Sequence, residues 1–348
     1  MSSHQTSLES TLMRAWLRRG LLAWILWPLS LIFGLIVRLR RCLFQLGWLP
    51  SARVRVPVIV VGNIFIGGTG KTPLVIWLVQ AMRRAGYTPG VISRGYGVQN
   101  EVPREALADS LSRDVGDEPI LIAKHASCPV MVGRNRVAAA NALLAAHPEV
   151  NLIVSDDGLQ HYALQRDVEI VLFDSRGIGN GWVLPAGPLR ESKKRRADFT
   201  VVHAAKFPSE LPAKAIRMQL MGDVAERLSD RSQRIALTNI MESVELNQPV
   251  RIIAAAGIGN PARFFTMLRS AGLMFHEMPL PDHYDFAANP FAGLSADIIL
   301  ITEKDAVKCM QVEDLRNDPR LWVVPVAARI DGALAEQIVE KLRGRPTA

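Results

Sequence analysis

Cysteine is nearly absent from this 348-residue chain: Cys42, Cys128 and Cys309 stand far apart and are odd in number. That excludes a disulfide framework and a cysteine-built zinc site, and it points to a reducing, cytosolic setting in which the three serve as small apolar residues. No internal repeat or low-complexity tract is present, and no small-residue cleavage site precedes Arg38, which argues against a removable secretory leader. Acid is missing from one end. Residues 1–56 hold eight arginines against Glu9 alone, so seven of the net +8 charges lie there. The remainder is nearly neutral, so no nucleic-acid partner is expected.

What the arginines bracket is a run of eighteen uncharged residues, Gly20 to Val37, carrying Trp24, Trp27, Leu29, Ile32, Phe33 and Ile36. As a helix it would rise roughly 27 Å against a hydrocarbon core of about 30 Å. Tryptophans and arginine flanks fit a membrane interface better than a buried core. Pro28 and Gly34 fall inside the run, and arginines on both sides blunt the orientation signal. Spanning, or lying in the cytoplasmic leaflet, both stay open.

The segment Val58-Ile59-Val60-Val61-Gly62 reads as a buried strand, followed by Asn63-Ile64-Phe65-Ile66-Gly67-Gly68-Thr69-Gly70-Lys71-Thr72. Glycines at 67, 68 and 70 let backbone N–H groups converge on phosphate oxygens, together with Thr69 at the mouth of the following helix. Lys71 can reach the β/γ-phosphates, and the Thr72 hydroxyl can ligate Mg²⁺. ATP is the expected ligand. The loop is a variant, because Phe65 occupies the place of the usual first glycine. Ile66 stands where switch ATPases of the ParA/MinD type carry a signature lysine, which argues against that class.

From Val58 to about His203, short apolar strands alternate with helical patterns. The expected fold is α/β, P-loop NTPase-like: a mostly parallel, doubly wound sheet with helices on both faces and ligands at the carboxyl ends of the strands. The expected organisation is a membrane-associated helix region over 1–50 and a nucleotide-binding domain over 51–205. A linker or hairpin follows over 206–250, then a smaller α/β domain over 251–348.

Strand Leu152-Ile153-Val154 runs into Ser155-Asp156-Asp157-Gly158-Leu159-Gln160-His161. An apolar strand ending in aspartate is what P-loop enzymes use to hold Mg²⁺, and two adjacent carboxylates favour a cation between them. Asp174, closing the next strand, is a rival ligand. Loops on the same side carry Arg94, suited to phosphate, and Asp117, able to accept a proton from an attacking hydroxyl. The basic stretch Gly187 to Arg196 suits anionic headgroups or substrate phosphate. His283, in a polar loop, could titrate near neutrality.

Taken in order, these motifs, with Gly116-Asp117-Glu118-Pro119, Gly187-Pro188-Leu189-Arg190-Glu191, Gly257-Ile258-Gly259-Asn260-Pro261, Asp282-His283 and Thr302-Glu303-Lys304-Asp305, resemble the tetraacyldisaccharide 4′-kinase family of lipid A biosynthesis. The resemblance covers nearly the whole chain. It implies an enzyme on the cytoplasmic face of the inner membrane that transfers the γ-phosphoryl of ATP to the 4′-hydroxyl of a tetraacylated glucosamine disaccharide 1-phosphate. It also implies Asp117 as proton acceptor assisted by His283, and Glu118, Asp156 and Asp157 in or near the metal shell. Arg94, Gln160, His161, Arg190 and Glu191 become substrate contacts. Inner-membrane lipids and the acylated disaccharide are the implied partners, and a membrane-recruited switch ATPase is the alternative reading.

Overall fold

The computed structural model describes residues 15–95, 102–204, 206–240 and 250–344. A long helix, α1 (Leu21–Gln45), leads. Then come β1 (Val58–Gly62), α2 (Lys71–Arg84), β2 (Pro89–Ser93), β3 (Arg104–Glu105), α3 (Ser112–Val115), α4 (Asp117–Ala126), β4 (Val130–Val132), α5 (Arg136–Ala146), β5 (Leu152–Asp156), β6 (Val168–Asp174), β7 (Phe199–His203) and β8 (Ile216–Met221). The rest is β9 (Val224–Arg227), β10 (Arg234–Ala236), β11 (Ile252–Ala256), α6 (Pro261–Ser270), β12 (His276–Pro279), β13 (Ile298–Thr302), α7 (Glu303–Cys309), α8 (Glu313–Arg316), β14 (Leu321–Val324), β15 (Ala327–Ile330) and α9 (Ala333–Arg343).

Two sheets result. The first is ordered β15-β8-β7-β6-β1-β5-β2-β4-β3, parallel except where β15 and β3 join its edges antiparallel. Its central strands are apolar on both faces because both are covered. Ile59 and Val61 pack with Leu74 and Leu78 of α2 and Leu334 and Ile338 of α9, while Val58 and Val60 pack with Ala140 and Leu143 of α5. The second sheet is ordered β10-β9-β14-β13-β11-β12, with a parallel middle around its own core of Phe264, Phe265, Leu268 and Leu300. In the first sheet β1 lies between β5 and β6, and β2 lies beyond β5. Strand order therefore reverses at the carboxyl ends of β1 and β5, where such sheets open a ligand crevice.

The sheets do not respect the boundaries expected at 206 and 251. The stretch read as a linker supplies β8 to the first sheet and β9 and β10 to the second, while 241–249 lies outside the described residues. The chain then returns: β15 pairs with β8, and α9, expected in the second unit, buries Leu334, Ile338 and Leu342 against the first. An isolated alternating strand such as Ile216–Met221 carries no mark of its distant partner.

Helix α1 is longer than the apolar run, 25 residues against eighteen, and only 11% of its most apolar window is buried. It is therefore not a core helix. One face nevertheless docks along its length. Ser30 Oγ donates to Val183 O (2.9 Å) and accepts from the Ala186 N–H (2.8 Å), Trp24 meets Trp182 edge-on at 4.8 Å, and Phe44 lies against Tyr162. Just before the helix, the Arg19 guanidinium donates to Asn180 O. The opposite face presents Ile25, Leu29, Ile32, Leu35 and Ile36, all more than half exposed.

Candidate active site

The loop from β1 to α2 starts with Asn63, fully buried. Its amide donates to Phe65 O (2.6 Å) and Gly67 O (3.1 Å) and its oxygen accepts from Lys71 Nζ (3.3 Å). Gly67 and Gly70 have φ of 92° and 94°, a region glycine enters without strain. The departure at Phe65 has a structural reason. Phe65 forms an antiparallel bridge to Leu189, the Ile66 N–H donates to Pro188 O (2.9 Å), and the Arg190 N–H donates to Ile64 O (2.7 Å). The first half of the loop is thus extended and cross-linked, and its ring is buried under the Arg176 guanidinium, 4.2 Å from the centroid. No glycine is needed where the chain does not turn.

The second unit reaches the other side of this loop. A Cβ on Gly259 would stand 2.7 Å from Gly68 N, closer than real contacts allow, so glycine at 259 permits the approach. From α6, Arg263 donates to Gly68 O (2.5 Å) and Thr69 O (3.0 Å), lies 2.9 Å from His203 Nδ1, and pairs with Asp174 at 3.5 Å. Asp174 also takes a bidentate grip from Arg176. Its carboxylate is consumed by two guanidiniums, which removes it as a rival metal ligand. Burial, then the Arg263 charge, lowers the His203 pKa to about 4.

At the end of β5, Asp156 is buried, with one oxygen accepting from Ser93 Oγ (3.1 Å) and the other without a hydrogen-bond partner among the described residues. Burial, reinforced by Glu118, raises its pKa to about 7 despite Lys71. Asp157 differs. Burial would raise it, but Lys71 at 3.5 Å and Arg190 at 3.2 Å bring it down to about 2. Its φ of 48° and that of His283, 58°, are uncommon for residues with side chains, and such conformations concentrate at sites of function. The donor set suits Mg²⁺, which takes few protein ligands and keeps phosphate and water oxygens. Thr72, Asp156 and the neighbouring Glu118 and Asp157 supply oxygen only, and no cluster of three or more metal-ligating side chains occurs among the described residues.

Across the crevice, α4 begins at Asp117, whose side chain is 3% exposed. His283 Nδ1 lies 3.4 Å from its Oδ2, Lys308 Nζ 3.2 Å and Lys304 Nζ 3.9 Å. Burial pushes the Asp117 pKa up, but the bond to His283 and the charges of Lys304 and Lys308 hold it far below the usual carboxylate range. Lys304 also approaches Glu118 (3.3 Å) and Asp282 (3.8 Å). His283, Lys304 and Lys308 belong to the second unit, so the cluster exists only where the two units meet.

The residues expected to touch substrate divide. Arg190 reaches Asp157 at the crevice, and burial, then the charges of Arg136 and Arg94, lower the His161 pKa to about 4. Tyr96 and Gly97, beside Arg94, lie outside the described residues. Glu191 is different: it is buried, accepting from Gln160 Nε2 (2.8 Å), Tyr162 Oη (2.8 Å) and Arg195 Nη1 (2.5 Å). Glu191 and Gln160 brace each other, and Arg195 of the basic stretch is likewise buried, paired with Glu169 and Glu191. Sequence reasoning missed Arg136, Arg176, Arg263 and Lys308, and it quoted Asn63 and Lys304 within motifs without giving either a role. Arg136, 2% exposed, ties Gly133 O to Asp156 O through both Nη atoms, yet reads in sequence as an ordinary helix start.

A model of the tetraacyldisaccharide-1-P 4′-kinase family matches residues 22–343. The tetraacyldisaccharide 4′-kinase of Janthinobacterium sp. (strain Marseille) is 64% identical over 348 residues, covering all of both chains. That of Herminiimonas arsenicoxydans is 59% identical over 354 residues, covering 100% of this chain and 99% of the relative. The crystal structure of LpxK from Aquifex aeolicus in complex with ATP superposes with a TM-score of 0.74 at 26% identity, over 92% of this chain and 100% of that one. A phosphate loop under a reversed strand order, a carboxylate pair beside it, and matches from end to end agree: the chain belongs to the tetraacyldisaccharide-1-P 4′-kinase family.

Proposed function

We propose that the chain transfers the γ-phosphoryl of ATP to the 4′-hydroxyl of a tetraacylated glucosamine disaccharide 1-phosphate, a step of lipid A biosynthesis. The observation that carries this reading is the meeting of two half-sites. The phosphate loop with Lys71 and Asp156–Asp157 comes from the first sheet, and His283 and Lys304 from the second are brought to Asp117. Phosphoryl transfer asks little covalent chemistry of the protein; charge stabilisation and alignment of nucleophile and phosphate do most of it. Lys71 and the backbone N–H groups of Gly67 to Thr72 neutralise phosphate charge. Thr72 and Asp156, with Glu118 and Asp157 nearby, would hold Mg²⁺, which would supply further charge neutralisation at the phosphates. Asp117, ionised throughout the physiological range, orients the sugar hydroxyl and takes its proton, and His283 fixes the carboxylate. A strongly acidic carboxyl suits a loose transition state in which the proton leaves late. Arg94, His161 and Arg190 line the same crevice for an anionic substrate.

The substrate's acyl chains keep it in a bilayer, and α1 provides the means to meet it on the inner membrane's cytoplasmic face. Contacts from Arg19 through Ser30 to Phe44 hold the helix against the body of the protein along its length. A helix held that way along one face suits the interface, with Ile25, Leu29, Ile32 and Ile36 directed into the lipid. The test is transfer of label from γ-labelled ATP to detergent-dispersed disaccharide 1-phosphate. Label released only as inorganic phosphate would favour the switch-ATPase reading instead.

A further inference from the structure

Between the membrane helix and the phosphate loop stands one short piece of chain, residues 182–190, and it is bonded to both. On the helix side, Ser30 is 3% exposed in the middle of the otherwise apolar run Gly20 to Val37, and its hydroxyl both donates to Val183 O and accepts from the Ala186 N–H. Gly34, one turn on, faces Val183: a Cβ there would meet Val183 Cγ2 at 3.4 Å, an ordinary contact that leaves no room for a longer side chain. Trp24 packs edge-on against Trp182, and Trp16 Nε1 donates to Pro185 O (2.8 Å). On the loop side, the same segment holds Ile66 through Pro188 O, Phe65 through the bridge to Leu189, and Ile64 through the Arg190 N–H. Arg190 then carries its side chain to Asp157, which pairs with Lys71.

An apolar helix whose only task was to sit in lipid would have no use for a buried, doubly bonded serine. A hydroxyl there satisfies the Ala186 N–H, which would otherwise be buried unpaired, and gives Val183 O a second donor beside the Gly187 N–H, and so fixes where the 182–190 segment lies. We propose that α1 is a positioning element of the nucleotide site. Through Ser30 it sets the 182–190 segment, and that segment sets the extended half of the phosphate loop, so membrane seating and ATP binding share one structural link. Ser30 is a positioning residue that touches neither substrate. The proposal rests on the reading of Gly67 to Thr72 as the ATP loop.

The test uses the full-length chain in detergent micelles, with ATP affinity measured by equilibrium titration alongside kcat, melting temperature and membrane partition. Ser30→Ala leaves the buried Ala186 N–H unpaired and Val183 O with the Gly187 N–H alone, and a loss on that scale corresponds to roughly 5-fold to 100-fold weaker ATP binding. Membrane partition should be unchanged, because the exposed face is untouched. Gly34→Leu, which pushes the helix off Val183 by bulk rather than by lost hydrogen bonds, should weaken ATP binding in the same direction. Wild-type ATP affinity in both folded variants overturns the proposal, as does a lower melting temperature with unchanged affinity, which would assign Ser30 to folding alone. Lys71→Ala separates the two claims. If it also leaves ATP affinity and turnover intact, the nucleotide-site reading falls and takes the coupling with it.

Discussion

Replacing Asp117 by asparagine keeps the side chain's volume and removes its charge and proton affinity. Three cationic or titratable groups face that carboxylate: His283 at 3.4 Å, Lys308 at 3.2 Å and Lys304 at 3.9 Å. Lys304 keeps Glu118 and Asp282 in the variant and Lys308 keeps Tyr284 O, so the folded state survives with a loss on the order of 1–3 kcal/mol, short of a fully orphaned buried charge. Turnover is another matter. Loss of a positioned proton acceptor costs about 10²- to 10⁴-fold, and the ATP dissociation constant should move by less than about 3-fold, because Asp117 lies across the crevice from the phosphate loop. His283→Gln should cost about 10-fold, since the histidine acts through the aspartate. In the double variant the histidine has nothing left to orient, so the combined loss should be close to that of Asp117→Asn alone. The assay is steady-state kinase turnover with saturating lipid and ATP, beside an ATP titration and a melting curve for each variant. Full multiplication of the two single losses, or near wild-type turnover in Asp117→Asn, would refute the assignment.

Lys71→Ala removes the charge beside Asn63 and Asp157 that the proposed function assigns to the transferring phosphate, and should lower turnover by at least about 10²-fold in a folded protein. Ile25→Asn, Ile32→Asn and Ile36→Asn combined strip the exposed stripe of α1; at half-exposure this forfeits roughly 3–5 kcal/mol of lipid transfer, so the protein should move to the soluble fraction with ATP affinity retained. The pKa of His203, lowered from 6.5 to about 4, makes the unfolded chain bind a proton that the folded one refuses. Its stability contribution is complete above pH 6.5 and is lost as pH falls toward about 4, by about 2 kcal/mol at about pH 5. Melting curves across that window should be flatter in His203→Gln, and an unchanged slope would remove His203 as the cause.

The parts of this molecule legible in sequence are those whose signal is local. The phosphate loop announces itself because strand, glycines, Lys71 and Thr72 are contiguous, and Asp156 and Asp157 because they end an apolar strand. The parts that were not legible depend on chain returning from afar. Nothing in Ala327–Ile330 shows that it will pair with Met218–Met221, and nothing in α6 shows that Arg263 will reach two carbonyls nearly 200 positions earlier. Residue type also misled at Glu191 and Arg195, where charged side chains suited to a ligand neutralise each other in the interior. Phe65 worked the other way: a departure from the usual loop became intelligible only with its bridge to Leu189.

The central claim is that the cluster at the junction of the two units moves phosphate from ATP to one sugar hydroxyl. Phosphorus NMR of the purified lipid product, with ADP measured in parallel, tests it most directly. The account predicts one new phosphomonoester, on the 4′ carbon, formed mole for mole with ADP and absent with Asp117→Asn. ADP formed without a new ester, or an ester at any other position, would contradict it.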